Sequence, residues 1–491
     1  MPLILPGNVA SATADAGYNV DNSCRFNDGD SAYMSRAASG SITSNQKFTL
    51  SLWVKRGALG TYQRLYGMAD TTPGVYAQEI YGFGSDNTLY YQHRLAGSDV
   101  SYKSTTNMLF RDVGAWYHTV LAVDTTQATD TNRVKIYVNG TQVDTTQGGY
   151  PSTAYIPQNN SVWFNYASLV SNLGALDGAG TFDGYIAEAV LIDGQQLTPT
   201  SFGEFDSDSP TIWKPIDVSG LTFGTNGFYC KFSDSADLGA DSSGNSNDFT
   251  VNNLDATDSA TDVPTNNFAT LNILDNAQSS ATYSEGNCKW VTTTNSKYLW
   301  GRSTIGMSAG KWYAEFKATS IPEHGYIGIC VDAPDDDTTF LTNGGANDHV
   351  EYGYKTSDGN SYNNTGSSSY GDTYTDGDII GVYLDLDNNK LYFAKNGTIQ
   401  NSGTGISITA AASNGYGNYF FCCADGTSGT SGTFEANFGG CPAFTLADAA
   451  ITDDNDYGNF EYDPSDGGGS SFDSAAKDFL ALCTKNLAEF G

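Results

Sequence analysis

The sequence predicts an all-β protein that consists of two β-sandwich domains and a short C-terminal helix. Runs in which apolar and polar residues alternate, such as Phe48 to Val54 and Val134 to Val138, are separated by Gly, Asn and Asp, a pattern typical of half-buried strands joined by turns. The acidic residues are 45 Asp and only 10 Glu, which favours turns because Glu is the better helix former. At 491 residues the chain exceeds the roughly 250 to 300 residues at which a single core stops growing.

Two Asn-Gly dipeptides predict equivalent hairpins in two separately folded sandwiches. Asn139-Gly140 and Asn396-Gly397 each follow an alternating run, and Asn-Gly is the strongest short signal for a β-hairpin. A helix is predicted at the end, where Phe479, Leu482 and Leu487 fall at helical spacing. The expected organisation is an N-terminal segment 1–17, a first sandwich 18–206, a connector with short strands 207–267, a second sandwich 268–445, and a tail 446–491 with a helix over 474–488.

Composition excludes several classes of partner. The formal charge is −32, with only 23 Lys and Arg, so binding to nucleic acid or to an anionic membrane surface is not expected. Met1 to Ala10 carries no Lys or Arg before its short apolar run, so we expect no secretory signal. No window approaches the length of a membrane span, so no membrane insertion is expected. The eight cysteines show no C-x-x-C spacing, and we expect them to be reduced and buried.

Two sets of segments resemble known domain families. Gly114 to Val120, followed by Lys135 to Gly140, resembles the laminin G-like, concanavalin A-type jelly roll, and Phe182 to Glu188 is similar to its closing strand. Gly310 to Phe316 and Asp378 to Val382, with Gly325 to Ile329 and the hairpin Lys390 to Gly397, resemble a SPRY domain. Asp241 to Asp248 and Phe479 to Leu487 resemble connector and end motifs of bacteriophage tail-fibre proteins that pair these modules.

The tail-fibre resemblance implies a surface protein of a tailed bacteriophage particle, assembled in the host cytoplasm and located on the virion. Its expected role is to bind a host cell-surface receptor, a glycan or a protein, without catalysis. Its expected partners are other virion proteins and further copies of itself, as a trimer. A structural decoration or connector of the virion, and a polysaccharide depolymerase, are the alternatives.

A ligand site is predicted in the second sandwich, within the stretch from Asn343 to Tyr374. Tyrosine offers a flat apolar face and a hydroxyl, and Asn hydrogen-bonds adaptably, which is the mixture used by glycan sites and loop paratopes. The opposing interpretation is that alternate tyrosines line the core. The candidate residues are Tyr352, Tyr354, Asn360, Tyr362, Asn363, Tyr370 and Tyr374.

The sequence offers little for catalysis and one candidate metal site. Glu188 and Asp193 are the nearest carboxylates on the closing strand, but a spacing of five places them on opposite faces, so no enzyme is predicted. His118 is expected to be structural. Calcium is the one cofactor considered, because Ca²⁺ takes several carboxylate oxygens; its candidate ligands are Asp335, Asp336, Asp337 and Asp348.

Overall fold

The protein folds into two compact units made almost entirely of β-strands, which confirms the predicted fold class. The computed structural model describes residues 17–38, 41–70, 77–150, 153–164, 166, 169–275, 281–292, 299–322, 324–331, 351–363, 366–426, 431–447, 451–465 and 478–491. The described part of the first unit is 17–265, and that of the second is 266–491. No helix in these ranges is long and apolar enough to cross a membrane.

The first unit is a sandwich of two antiparallel sheets. Its strands are β1 Ser23–Phe26, β2 Tyr33–Ala37, β3 Lys47–Arg56, β4 Gln63–Ala69, β5 Gln78–Phe83, β6 Thr88–Arg94, β7 Ser101–Leu109, β8 Trp116–Asp124, β9 Val134–Val138, β10 Thr141–Gln142, β11 Thr145–Tyr150, β12 Val170–Leu173, β13 Gly184–Asp193, β14 Gly203–Phe205, β15 Trp213–Pro215, β16 Phe228–Cys230, β17 Thr250–Asn252 and β18 Ser259–Ala260. Sheet 1 has the order β10-β9-β8-β3-β13-β1-β18, with β16 also paired to β13. Sheet 2 has the order β11-β7-β6-β5-β4-β12-β2-β17. Leu50, Leu52 and Val54 of sheet 1 pack in the core with Tyr81 and Tyr91 of sheet 2.

Residues 207–265 are part of this sandwich, which differs from the connector predicted over 207–267. β16 pairs with β13, β17 with β2, and β18 with β1. Phe228 enters the core while Tyr229 lies on the outer face of sheet 1. The strands in this segment are only two or three residues long and lie between polar turns. The sequence pattern therefore does not reveal them.

The second unit is also a sandwich. Its elements are β19 Ala281–Ser284, β20 Lys289–Thr292, β21 Leu299–Arg302, β22 Lys311–Ser320, β23 Gly325–Cys330, β24 Tyr352–Lys355, β25 Asn360–Asn363, β26 Gly366–Ser369, β27 Ile379–Asp385, β28 Lys390–Lys395, β29 Thr398–Ile399, β30 Ile406–Ser407, β31 Phe420–Asp425, β32 Thr433–Asn437, β33 Leu480–Ala481 and α1 Thr484–Phe490. Sheet 3 has the order β19-β20-β32-β22-β27-β28-β29, with β30 paired to β28 and β33 to β22. Sheet 4 has the order β21-β31-β23-β24-β25-β26.

The C-terminal helix is shorter and later than predicted. The expectation was a helix over 474–488, whereas α1 begins at Thr484, and Leu480–Ala481 form β33, parallel to β22. Leu480 and Leu482 pack in the central core, while Phe479, Ala481 and Cys483 pack on the outer face of sheet 3. That alternation requires an extended chain, because a helix would place residues three and four apart on one face. Residues 466–477 lie outside the described part of the chain.

The two Asn-Gly hairpins have the same local geometry. Both residues of each pair have positive φ, at 45° and 79° for Asn139 and Gly140 and at 48° and 75° for Asn396 and Gly397, as a type I′ turn requires. The Asn139 side-chain oxygen accepts the His118 backbone N–H at 2.8 Å, and the Asn396 side-chain oxygen accepts that of Ile379 at 2.8 Å. Each Asn side chain therefore ties its turn to the start of a neighbouring strand.

Replacing Gly140 by Ala is expected to destabilise the first sandwich by about 1 to 3 kcal/mol. A Cβ there would lie 2.3 Å from the Trp213 ring on backbone with a φ of +79°. Gly148→Ala is the matched control, because a Cβ on Gly148 meets nothing within 4 Å. Urea unfolding measures both variants, and equal stabilities would contradict the turn assignment.

Candidate functional site

Four of the seven predicted ligand residues lie in the core of the second sandwich. Tyr352, Tyr354, Tyr370 and Tyr374 all belong to the central cluster between sheets 3 and 4. Tyr354 stacks on Phe393 with ring centroids 5.2 Å apart. The prediction that these four rings form an exposed contact surface is therefore wrong, and the opposing interpretation of a tyrosine-lined core is correct for them.

These tyrosines are stable in the core because the backbone satisfies their hydroxyl groups. The Tyr370 oxygen accepts the Phe393 N–H at 3.1 Å, and the Tyr374 hydroxyl donates to the Tyr354 carbonyl at 2.8 Å. The Tyr352 oxygen accepts the Thr409 N–H at 2.9 Å. A buried hydroxyl without such a partner would be costly.

The remaining predicted residues, Asn360, Tyr362 and Asn363, are half-buried on β25. Tyr362 lies on the face of sheet 4 that points away from the core, together with Tyr326. Its ring meets the Tyr326 ring edge to face, with centroids 5.5 Å apart, and the Lys355 ammonium lies 5.2 Å from its centroid. We call Tyr326, Lys355, Asp358 and Tyr362 the outer-face cluster.

Charge and hydrogen bonds hold this cluster in one arrangement. The Tyr362 hydroxyl donates to the Asp358 carboxylate at 2.7 Å, and Lys355 Nζ lies 3.5 Å from the same carboxylate. Partial burial opposes ionisation of Asp358, but the Asn360 N–H, the Tyr362 hydroxyl and the Lys355 ammonium together keep its pKa below the usual range. Lys355 is largely buried, whereas Asp358 is exposed and Tyr362 half-exposed. The cluster therefore presents an aromatic ring and a carboxylate, both fixed by their neighbours.

The predicted calcium ligands Asp335, Asp336, Asp337 and Asp348 lie outside the described residues. In the part of the chain that the structure covers, no group of three or more His, Cys, Asp or Glu side chains is arranged to hold a metal ion. The calcium site stays a prediction.

His118 pairs with Ser51 in an arrangement that superficially resembles a catalytic dyad. The two side chains are 2.8 Å apart, and both residues are buried. Trp213 Nε1–H donates to His118 Nδ1 at 2.9 Å, so Nε2 carries the proton and donates to Ser51. Burial lowers the pKa of His118 to about 3. A neutral histidine that donates to a serine cannot take that serine's proton, so the pair is structural.

Glu188 is a buried carboxylic acid of the first sandwich whose surroundings shift its pKa. It sits at a bulge in β13 with a φ of 48°, in a backbone region that non-glycine residues rarely adopt. The Tyr229 hydroxyl donates to its carboxylate at 2.5 Å, and that of Tyr18 lies 3.4 Å away. Burial raises the pKa of Glu188 to about 7, against the lowering effect of the Tyr229 hydrogen bond. The signal for Glu188 in the sequence is a lone Glu in the apolar run of β13.

Asp193, the other carboxylate weighed for hydrolysis, has a separate structural role. Its oxygens accept the backbone N–H groups of Thr43 at 2.8 Å, Ser44 at 3.3 Å and Asn226 at 3.1 Å. Glu188 and Asp193 therefore have different hydrogen-bond partners and do not form a pair of carboxylates around one reaction centre.

Two tyrosine variants distinguish core from surface in the second sandwich. Tyr370→Ala is expected to cost about 3 to 5 kcal/mol, because it removes a buried ring and leaves the Phe393 N–H unpaired. Tyr362→Ala, a half-exposed position, is expected to cost about 1 kcal/mol. Thermal melting of both proteins tests this, and a Tyr362→Ala variant as unstable as Tyr370→Ala would place Tyr362 in the core.

The Glu188→Gln variant is expected to gain stability over the native protein as the pH rises. The folded pKa of about 7 exceeds the ordinary pKa of 4.5 for a glutamic acid. Protonated Glu188 therefore contributes stability below about pH 4.5 that is lost as the pH rises through 7. Gln keeps the neutral form, so the difference in unfolding free energy should grow by about 3 kcal/mol between pH 4.5 and 8. Urea unfolding at these pH values measures it, and a constant difference would contradict the raised pKa.

Comparisons with known proteins agree with both domain resemblances. Residues 28–201 match the model described as the concanavalin A-like lectin/glucanases superfamily, and residues 311–435 match the SPRY domain. The Ran-binding proteins 9/10 homolog of Drosophila melanogaster is 36% identical over 94 residues, which are 19% of this chain and 10% of that protein. Ran-binding protein 9 of Homo sapiens is also 36% identical over 94 residues, or 12% of its length. Ran-binding protein 9 of Xenopus tropicalis is 33% identical over 144 residues, which are 29% of this chain and 24% of that protein. The chain thus spans about a tenth to a quarter of the length of these relatives.

Two solved structures show lower similarity. The SPRY domain of human HERC1 is 16% identical with a TM-score of 0.27, covering 34% of this chain and 94% of that one. A putative carbohydrate binding protein from Bacteroides ovatus is 14% identical with a TM-score of 0.30, covering 48% of this chain and 59% of that one.

The relatives overturn the predicted virion function. They are Ran-binding proteins of animals, and nothing among the comparisons supports a tail-fibre context, so the predicted function as a phage receptor-binding protein and its virion and host partners are wrong. The trimer rested on the same resemblance and loses its basis. The error has a physical reason, because a fold module recurs in proteins of unrelated function and therefore does not identify one. The chain contains a concanavalin A-like, laminin G-like domain and a SPRY domain, both modules of binding type.

Proposed function

We propose that this chain is a non-catalytic binding protein whose SPRY domain binds a partner protein through the outer-face cluster. The observation that carries the proposal is the fixed position of the half-exposed Tyr362 ring, held by Lys355 and Tyr326 on one side and by Asp358 through its hydroxyl. A side chain that is already ordered loses little conformational entropy when a partner binds.

The chemistry of this surface suits a protein partner. Tyrosine is among the residues that contribute most binding energy at protein interfaces. The exposed carboxylate of Asp358 adds a directional acceptor beside the ring, and the Asn360 N–H, the Tyr362 hydroxyl and the Lys355 ammonium keep its pKa low. Asn360 lies two residues before Tyr362 on the same face of β25 and supplies an adaptable hydrogen-bonding group. Asn363 is paired with the core residue Tyr352 and lies on the opposite face.

The names of the relatives suggest a first partner to test. Several proteins that are 33% to 36% identical over the matched residues are called Ran-binding proteins. We therefore take the GTPase Ran as the candidate partner of the SPRY domain. The matched residues are a small share of those proteins, so Ran binding by this chain is part of the proposal.

The absence of catalysis is also part of the proposal. The residues weighed for chemistry, His118, Glu188 and Asp193, each have a structural hydrogen-bond set that uses the atoms a reaction would need. Both domains are of binding type.

Biolayer interferometry with immobilised full-length chain and purified Ran tests the proposal. We expect Tyr362→Ala to weaken binding at least tenfold, because removal of a central aromatic anchor typically costs about 2 kcal/mol or more. Tyr150→Ala is the matched control, an exposed tyrosine of the first sandwich that is 67% accessible, and it should bind like the native chain. Equal binding by the Tyr362→Ala variant would contradict the surface. No binding of the native chain at micromolar Ran would contradict the partner.

A further inference from the structure

The outer face of sheet 2 carries a row of alternating aromatic and cationic side chains in the first sandwich. The strand register aligns Arg64 of β4 with Gly82 of β5, and Gly82 with Tyr90 of β6. The neighbouring Tyr91 enters the core, so Tyr90 faces outward. Because Gly82 has no side chain, nothing on β5 separates Arg64 from the Tyr90 ring.

Two cations share the Tyr90 ring. The Lys103 ammonium lies 4.0 Å from its centroid and the Arg64 guanidinium carbon 5.8 Å from it. The Arg64 guanidinium also lies 5.0 Å from the ring of Tyr62, which is 53% exposed. We call Tyr62, Arg64, Tyr90 and Lys103 the cationic row.

Neither cation has a carboxylate partner among the residues that the structure describes. Nε and Nη1 of Arg64 are buried against their surroundings without a hydrogen bond, a situation that is unfavourable and uncommon in folded proteins. Asp86 interacts electrostatically with Lys103 without forming an ion pair with it; the pKa of Asp86 is lowered first by the Thr88 hydroxyl, with the Lys103 ammonium the last of the causes. By contrast, Arg94 at the end of β6 is neutralised by Asp99 at 2.8 Å.

Two unpaired positive charges on one ring are unexpected in a chain with a net charge of −32. Like charges repel, so their proximity is a cost that an incoming anion would relieve. The cation–aromatic contacts hold both charges in place before any ligand arrives. The row is thus a preorganised site for negative charge.

The geometry points to acidic side chains of a partner protein as the ligand of the cationic row. Tyr90 is only 2% exposed and is covered by the cations, so it offers no free platform for stacking a sugar ring. The neighbouring strands use their backbone N–H groups in the sheet ladder, so no loop of free N–H groups is present to cradle a phosphate. What the row presents is two separated point charges, which fit individual carboxylates.

Isothermal titration calorimetry of the full chain tests this at about 50 mM salt, where screening is weak. The probe is a short extended peptide with glutamate at three alternate positions, and its control replaces each glutamate by glutamine. We expect the native chain to bind the glutamate peptide at least tenfold more tightly than the glutamine peptide. The double variant Arg64→Gln with Lys103→Gln should lose that preference.

Lys135→Gln is the matched control, because it removes one positive charge from β9 of sheet 1. It should bind like the native chain, and melting curves check that every variant folds. If Arg64→Gln fails to fold, the single variant Lys103→Gln tests the proposal. Its affinity for the glutamate peptide is expected to fall at least threefold. Equal binding of the two peptides, unchanged binding by a folded Lys103→Gln variant, or an equal loss with Lys135→Gln would overturn the proposal. Tighter binding of oligogalacturonate or of inorganic phosphate than of the glutamate peptide would also overturn it.

Discussion

Sheet 1 of the first sandwich and sheet 3 of the second are apolar on both faces, and the rest of the structure depends on covering their outer faces. Sheet 1 sends Leu121 and Ile186 into the core but presents Val120, Trp53 and Val190 on the opposite face. Sheet 3 likewise presents Tyr313, Tyr383 and Tyr392 on its outer face. These apolar outer faces would favour aggregation if they were exposed to solvent. Later residues of each unit cover them, with Phe202, Trp213 and Val263 over sheet 1 and Phe460, Phe479 and Cys483 over sheet 3.

Buried carboxylates fix these covering segments in place. Asp262 pairs with Lys55 at 2.6 Å and accepts Trp116 Nε1–H at 3.0 Å, which ties residues near 262 to sheet 1. Glu315 on sheet 3 accepts the backbone N–H groups of Glu461 and Tyr462 at 3.1 and 2.8 Å. Burial raises the pKa of Glu315 to about 7, against the lowering effect of these hydrogen bonds. A buried charge left without its partner is costly, so each pair favours one docked position of the cover over alternatives.

The sequence was sufficient for the elements whose signals are local. Asn139-Gly140 and Asn396-Gly397 predict their hairpins, and alternation predicts the long strands, because both depend only on neighbouring residues. The short strands of residues 207–265 were not predictable in this way, since strands of two or three residues such as Thr250–Asn252 become visible only through their pairing. The prediction of the ligand site was wrong for a similar reason. Alternate tyrosines fit a core or a surface equally well, and the backbone partners that admit Tyr370 and Tyr374 to the core are distant in sequence. Tyr362 lies on β25 with its ring on the outer face of sheet 4, away from that core.

The proposed binding surfaces lie on the opposite sheets, with the cationic row on sheet 2 and the outer-face cluster on β23 to β25 of sheet 4. On sheet 4 that cluster adjoins Trp300, Phe420 and Cys422, which are buried on the same face. Hydroxyl-radical footprinting of tyrosines, read by mass spectrometry, tests this division most directly because every ring concerned points away from a core. Tyr62 is 53% exposed and Tyr362 is half-exposed, so both should be oxidised readily. Tyr229, Tyr313 and Tyr392, which lie beneath the covers, should be protected in the native protein and react only after unfolding. Oxidation of Tyr229 or Tyr313 at the rate of Tyr62 in the folded protein would contradict the account.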